Sequence, residues 1–173
     1  MGTALTCHCG PGDNLGLFGA VAEAQPGDVI VAATDSFEGT CLTGDLLMGM
    51  ARNSKVAGLV TDGLVRDADG IRQVGLPVFC CGVTPNSPVR NGPGTVGFPV
   101  VVGGVKVESG DIIAADSEGV VVIPQKELAG VLQRIPEIQS AEKRTEQAVA
   151  EVMKLRDSVR ELLNSDKVEY VEE

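Results

Sequence analysis

Two short stretches carry most of the chemistry available to this chain. Gly44-Asp45-Leu46-Leu47 opens on a glycine, and Asp62-Gly63-Leu64-Val65-Arg66-Asp67 ends on adjacent opposite charges. A helix amino terminus exposes unpaired N–H groups and a partial positive charge, so a helix starting near Gly44 suits a carboxylate or phosphate. Gly44 also has no side chain to bar close approach. Arg66 offers a planar fork that matches a carboxylate, and Asp67 offers a hard oxygen to magnesium or manganese. Taken singly, each stretch has a plainer explanation: a helix cap at Thr43-Gly44-Asp45 and a solvated surface pair at Arg66-Asp67. Taken together they supply anion-binding amides, a fixed cation and a metal-binding carboxylate, the parts needed to handle an anionic oxo acid through a divalent metal.

The elements that must hold these residues follow from periodicity and punctuation. Thr43 to Arg52 reads as a helix, with Thr43 or Asp45 near its amino end as a cap. Ala57 to Thr61 reads as a buried strand broken by Asp62-Gly63, so Arg66 and Asp67 fall just beyond a strand end, a frequent place for active sites in α/β folds. A helix is expected over Asp13 to Ala24, stopped by Pro26-Gly27, and a strand over Asp28 to Ala33. A short helix follows at Ala68 to Val74 and a strand at Pro77 to Cys81. Prolines and glycines from Val83 to Gly94 mark a loop-rich stretch before strands at Phe98 to Val102 and Val105 to Val107, with Gly103-Gly104 as a hairpin or sharp bend. Asp111 to Ala115 and Gly119 to Ile123 complete the strands. Pro26-Gly27-Asp28-Val29-Ile30 is echoed by Ser109-Gly110-Asp111-Ile112-Ile113, which shared turn chemistry explains without a repeat architecture.

After Pro124 the glycines thin out and charge rises. Leu128, Val131, Leu132, Ile135 and Ile138 recur at helical spacing, as do Ala148, Val149, Val152, Leu155, Val159 and Leu162. Such a stripe is expected to pack against the body or another subunit, with Pro136 kinking or splitting the region and a polar tail from Asn164. These features divide the chain into an α/β domain over 1–125 and a helical extension over 126–173.

Composition narrows the function. With 43% apolar residues, 3% aromatic and no Trp among 173 residues, the core must be Val, Leu, Ile and Ala. A net charge of −10 opposes non-specific nucleic-acid binding. No apolar run reaches the roughly 20 residues of a membrane helix, the start lacks the regions of a secretory signal, and Met1-Gly2 matches a myristoylation start only loosely. Five cysteines at spacings that form no disulfide framework fit reduced thiols in a cytoplasmic protein. Cys7-His8-Cys9 is too compressed to close a zinc shell and is expected to be a mobile, incidental cluster. His8 is the only histidine, which removes a His-based triad.

Gly44-Asp45-Leu46-Leu47, followed by Val56-Ala57-Gly58-Leu59-Val60-Thr61-Asp62-Gly63-Leu64-Val65-Arg66-Asp67, resembles the 4-hydroxy-4-methyl-2-oxoglutarate aldolase family, which also contains the regulators of ribonuclease E activity (RraA). Pro11-Gly12-Asp13-Asn14, Gln25 to Val29, Gly75 to Phe79 and Ser117 to Pro124 fit the same pattern, so the likeness covers roughly Pro11 to Pro124. The resemblance implies a swivelling β/β/α-type fold, assembled as a homotrimer or hexamer with sites near subunit boundaries. It implies that the Gly44, Asp45, Leu46 and Leu47 segment and Arg66 hold pyruvate, that Asp67 binds a divalent cation (Mg2+ or Mn2+), and that Asp45 orients a water on it. The implied activity is metal-dependent cleavage of small 2-oxo acids to pyruvate, with oxaloacetate decarboxylation as a second activity. The alternative is a non-catalytic protein that regulates a ribonuclease by protein–protein binding. Neither reading involves direct nucleic-acid or membrane binding. Two departures stand out: the aldolases carry an acidic residue three positions after Asp67, where this chain has Gly70, and relatives carry further helical structure before Pro11. The chain is therefore expected to be either a shortened form or one lacking its start.

Overall fold

The structure is a computed structural model and describes residues 1–171. The elements run β1 (Gly2–His8), α1 (Leu15–Glu23), β2 (Asp28–Ala33), β3 (Cys41–Thr43), α2 (Asp45–Asn53), β4 (Gly58–Thr61), β5 (Leu64–Val65) and α3 (Ala68–Val74). They continue with β6 (Val78–Phe79), β7 (Gly82–Val83), β8 (Thr95–Val96), β9 (Val100–Val102), β10 (Val105–Val107), β11 (Ile112–Asp116), β12 (Gly119–Ile123), α4 (Leu128–Ala150) and α5 (Asp157–Leu163). The chain forms two compact units, Met1–Leu128 and Ala129–Glu173.

The first unit is built on a sheet in the order β12-β11-β1-β2-β4-β6, with β8 also paired to β1. The strands β1, β2, β4 and β6 run parallel, whereas β11, β12 and β8 join antiparallel. Alternation along β2 explains why both faces are covered. Ile30 and Ala32 enter one apolar cluster with Leu17, Leu47, Met48 and Leu59, while Val29, Val31 and Ala33 enter another with Val60, Val100 and Ile113. The fold is α/β, as the sequence indicated.

The echoed turns prove to be one structure used twice. Gln25 N–H donates to Asp28 Oδ2 at 2.8 Å and Glu108 N–H donates to Asp111 Oδ2 at 2.9 Å. Gly27 and Gly110 sit at φ 93° and 100° between those partners, a backbone that favours glycine. The first turn launches the buried strand β2 and the second launches β11, of which only Ile113 is buried.

Two expectations require correction. The Cys7-His8-Cys9 segment is not mobile: Cys7 lies in β1, between its neighbours in the sheet, and Cys7 and Cys9 are 0% and 2% exposed. A strand with Thr3 and Thr6 among its apolar residues has no clean alternation, which hid β1 from periodicity. Pro136 does not split the extension, because α4 runs through it from Leu128 to Ala150. Proline removes one hydrogen bond, to the Leu132 carbonyl, and on an exposed helix water can take that carbonyl. Within the apolar stripe of the extension, Leu132, Ile138, Val149 and Leu162 are exposed among the described residues.

A second, smaller sheet sets up the site. Strands β3, β5 and β7 pair in parallel, with Cys41 opposite Leu64, Thr43 opposite Val65 and Leu64 opposite Gly82. Their carboxyl ends therefore lie side by side.

Candidate functional site

Each of these three strand ends delivers part of the site. Beyond β3 comes Gly44, the N-cap of α2, with extended backbone at φ −138°. Beyond β5 come Arg66 and Asp67, and the Arg66 N–H donates to the Thr43 carbonyl at 2.9 Å, which ties the two ends together. Beyond β7 the chain is pinned by the Thr84 N–H donating to the Val65 carbonyl at 2.9 Å, and runs on to Ser87 and Arg90. Ligands in open α/β sheets bind outside the carboxyl ends of parallel strands, and this small sheet follows that rule.

The two segments singled out in the sequence meet directly. Arg66 Nε lies 3.1 Å from Asp67 Oδ2, with side chains 39% and 46% exposed. A Cβ on Gly44 would stand 2.6 Å from Asp67 Oδ2 and 3.0 Å from Arg66 Cγ, so only glycine leaves room for that pair. Arg66 also donates from Nη1 to Ser87 Oγ. Asp67 takes the left-handed conformation, φ 54° and ψ 43°, as the N-cap of α3. Such a backbone costs a non-glycine residue on the order of 1–2 kcal/mol, and aspartate is among the residues that tolerate it.

The anticipated cap differs in detail. Neither Thr43 nor Asp45 caps α2 with its side chain. Asp45 Oδ1 instead accepts from the Leu46 N–H at 2.7 Å. Its Oδ2 lies against α3, only 2.6 Å from where a Cβ on Gly70 would be. Gly70 is thus the surface on which the Asp45 carboxylate rests.

A cleft of about 230 Å3 opens at these strand ends, lined by Gly44, Asp45, Leu46, Leu47 and Arg66, with Asp67 behind Arg66. That is below the roughly 300–1,000 Å3 of pockets enclosing drug-sized molecules and suits a small organic acid. Further lining comes from residues the chemistry-first reading passed over: Asn14, Phe18, Cys41, Met50, Ser87 and Arg90. Asn14 is 6% exposed; its Nδ2 donates to the Leu42 carbonyl at 3.0 Å, and its Oδ1 has no protein donor. Burial pushes the Cys41 thiol up, so it lines the cleft as a neutral group. The Arg90 guanidinium sits 5.3 Å over the Phe18 ring. The available signal for Arg90 was charge: it is the only Lys or Arg between Arg72 and Lys106.

Asp13 explains how Arg90 is held there. Its Oδ2 accepts from the Asn91 and Gly92 N–H groups at 2.6 and 2.9 Å, and its Oδ1 accepts from the Leu15 N–H at 2.7 Å. On either side, Val89 N–H donates to the Gly12 carbonyl at 2.8 Å and Asn14 N–H to the Val89 carbonyl at 3.1 Å. Burial pushes the Asp13 carboxyl up, but the N–H groups of Leu15, Asn91, Gly92 and Asn14 outweigh it and hold the carboxyl below its ordinary value.

The donor set bears on which cation could be held. Asp45 and Asp67 supply carboxylate oxygens, and Asp67 Oδ1 has no protein partner among the described residues. No three His, Cys, Asp or Glu side chains converge among the described residues. Few hard oxygens with room for water and substrate fit magnesium or manganese, and do not fit a four-ligand zinc site.

Known proteins agree with this reading of the fold. The sequence model of the RraA-like family, described as Aldolase/RraA, matches residues 1–122. The chain is 34% identical over 165 residues to a Halalkalibacterium halodurans protein named "Putative 4-hydroxy-4-methyl-2-oxoglutarate aldolase", covering 95% of this chain and 79% of that one. Among solved structures, Streptomyces coelicolor RraAS2, a member of the RNase ES inhibitor RraA family, matches with a TM-score of 0.77 at 29% identity, over 85% of this chain and 77% of its own. The RNA-processing inhibitor RraA from Thermus thermophilis matches with a TM-score of 0.68 at 29% identity, over 72% and 75%. The chain belongs to the RraA-like family.

Proposed function

We propose that this protein is a divalent-metal-dependent carbon–carbon lyase that cleaves 4-hydroxy-4-methyl-2-oxoglutarate-type acids to pyruvate and decarboxylates oxaloacetate. The observation that carries the reading is the Arg66–Asp67 pair packed against Gly44 at the start of α2. That packing holds an anion-binding fork and a hard carboxylate at one helix terminus, where a surface ion pair would need neither the glycine nor the left-handed Asp67.

Each residue then has a task. Arg66 and the backbone N–H groups of Gly44, Asp45 and Leu47 grip the C1 carboxylate and fix the orientation of the 2-oxo group, the Leu46 N–H being held by the Asp45 carboxylate. Asp67 would hold the cation, which supplies Lewis acidity at the C2 carbonyl when bound. In the retro-aldol direction the C4 hydroxyl gives up its proton, the C3–C4 bond breaks and its electron pair moves into C2–C3 as C4 becomes a carbonyl. Protonation at C3 then yields pyruvate. Among the described residues Asp45 is the only carboxylate lining the cleft, and we assign it the relay of both protons through an ordered water. With oxaloacetate the same bond breaks as C4 leaves as carbon dioxide, and only the protonation at C3 remains. The same reading takes the protein to act as a homotrimer or hexamer in a reducing cytoplasm, which suits five free cysteines. Leu46, 75% exposed at the cleft, is available for subunit contact.

The test is oxaloacetate turnover with magnesium, with and without chelator, beside Asp67→Asn, which keeps a residue that tolerates the left-handed backbone. Turnover is expected to vanish with chelator, return with metal, and fall at least about 100-fold in the variant. Turnover no faster than the metal-only background on oxaloacetate and on 4-hydroxy-2-oxo diacids sinks the proposal. The second reading, regulation of a ribonuclease, is supported by the RraA structural neighbours and the net charge of −10. A ribonuclease inhibition assay addresses it.

A further inference from the structure

We infer that Arg90 is the specificity-determining residue of the cleft, the anchor for the distal carboxylate of the 2-oxo diacids proposed above. The inference rests on the lyase reading and names the residue that sets its specificity. Arg66 and Arg90 line one cleft, in a chain of net charge −10 that has no Lys or Arg before Arg52. Two of its scarce cations therefore face the same small space.

Their electrostatic situations differ. Arg66 is partly neutralised by Asp67 at 3.1 Å. Arg90 has no carboxylate within ion-pair distance among the described residues, and its head group is held over the face of Phe18. Cation–π contact orients a guanidinium but leaves its N–H edge free to donate. The backbone beneath it is fixed by Asp13, which binds the Asn91 and Gly92 amides, and by the Val89 pairing with Gly12 and Asn14. A loop of this composition would otherwise be mobile. An unneutralised, preorganised guanidinium facing a cleft is a recognition element for a second anion.

The chemistry of the reaction supplies that anion. A 2-oxo acid cleaved between C3 and C4 keeps C1 and C2 at the Arg66 end, so whatever hangs from C4 extends across the cleft. A carboxylate there meets Arg90, while a neutral or apolar group leaves the exposed guanidinium to water and gains nothing from it. Pyruvate, lacking that end, is held at the Arg66 end only and departs more readily than the substrate.

The test measures binding by calorimetry in the presence of magnesium, with 2-oxoglutarate as the dicarboxylate probe and pyruvate as the monocarboxylate probe, on the wild-type protein, Arg90→Ala and Arg90→Lys. The wild-type protein is expected to prefer 2-oxoglutarate. Arg90→Ala should weaken 2-oxoglutarate about 10- to 100-fold and change pyruvate less than about twofold, and Arg90→Lys should recover part of the loss. With oxaloacetate as substrate, the Arg90→Ala loss should fall on KM more than on kcat. An unchanged preference in Arg90→Ala, or an equal loss for both acids, overturns the assignment of Arg90 while leaving the lyase reading standing. A wild-type protein that binds neither acid overturns both.

Discussion

Restoring the acidic residue that the aldolases carry three positions after Asp67 should impair this protein, not improve it. A Cβ on Gly70 would lie 2.6 Å from Asp45 Oδ2, 2.7 Å from Asp45 Cβ and 3.0 Å from Asp45 Cγ. The carboxylate oxygen could swing aside, but Asp45 Cβ is fixed to the first turn of α2. Since ordinary carbon contacts begin near 3.4 Å, α2 and α3 would have to part by about 0.7 Å at this point. Overpacking of that kind costs about 1–3 kcal/mol, which in a chain of this size lowers Tm by about 2–4 °C per kcal/mol. It also moves Asp45 relative to Arg66, and misplacement near 1 Å costs a reaction about 100-fold. Gly70→Ala and Gly70→Asp should therefore both lower Tm and both lower magnesium-dependent oxaloacetate turnover, because the collision begins at Cβ. A Gly70→Asp protein with wild-type Tm and raised turnover would refute the reasoning and show that the site lacks an acid that it can accommodate.

Gly44→Ala should separate activity from stability in a different proportion. Its Cβ would meet the end of Asp67, which is half-exposed and can move, so unfolding should shift by less than about 1 kcal/mol, while affinity for pyruvate in a calorimetric titration should fall about tenfold or more. Asp13→Asn should make the protein less sensitive to acid. The carboxyl of Asp13 is held below its ordinary value, so its contribution to stability is complete above roughly pH 4, the unfolded value, and is lost as pH falls through the lower folded value. In thermal unfolding from pH 7 down to pH 3, the gap between wild type and variant should be constant above about pH 5 and narrow below pH 4; a gap that stays constant throughout would contradict the clamp.

What the sequence made legible was what short-range physics decides. The strand Asp28–Ala33, the helix Ala68–Val74 and the hairpin strand Val105–Val107 lie where apolar runs and glycine or proline punctuation placed them. Residue chemistry likewise brought Gly44, Asp45, Arg66 and Asp67 to notice, and they do converge. The strands that make them converge were not legible. β3, β5 and β7 have three, two and two residues, too few for any period to show, and their register comes from pairing across 20 or so residues of sequence. β1 was hidden for another reason: its interior position is set by partners from three distant segments, while its own sequence mixes Thr and Cys among apolar residues. The role of Asp13 was out of reach because its hydrogen-bond partners lie almost 80 residues away.

The small parallel sheet also changes how Asp13 and Gly70 bear on function. Neither lines the cleft, yet each fixes a side chain to which a role is proposed above: Asp13 through the backbone under Arg90, and Gly70 through the face on which Asp45 rests. A protein whose only task was to present an acidic surface to a partner would need neither constraint, because a partner surface reads charge at its exposed rim. The cleft as proposed, with one carboxylate at Arg66, a second at Arg90 and a proton relay at Asp45, needs both. On the proposed reading the space beside position 70 needs no second acid, because it is already taken by the carboxylate of Asp45, which reaches it from the neighbouring helix.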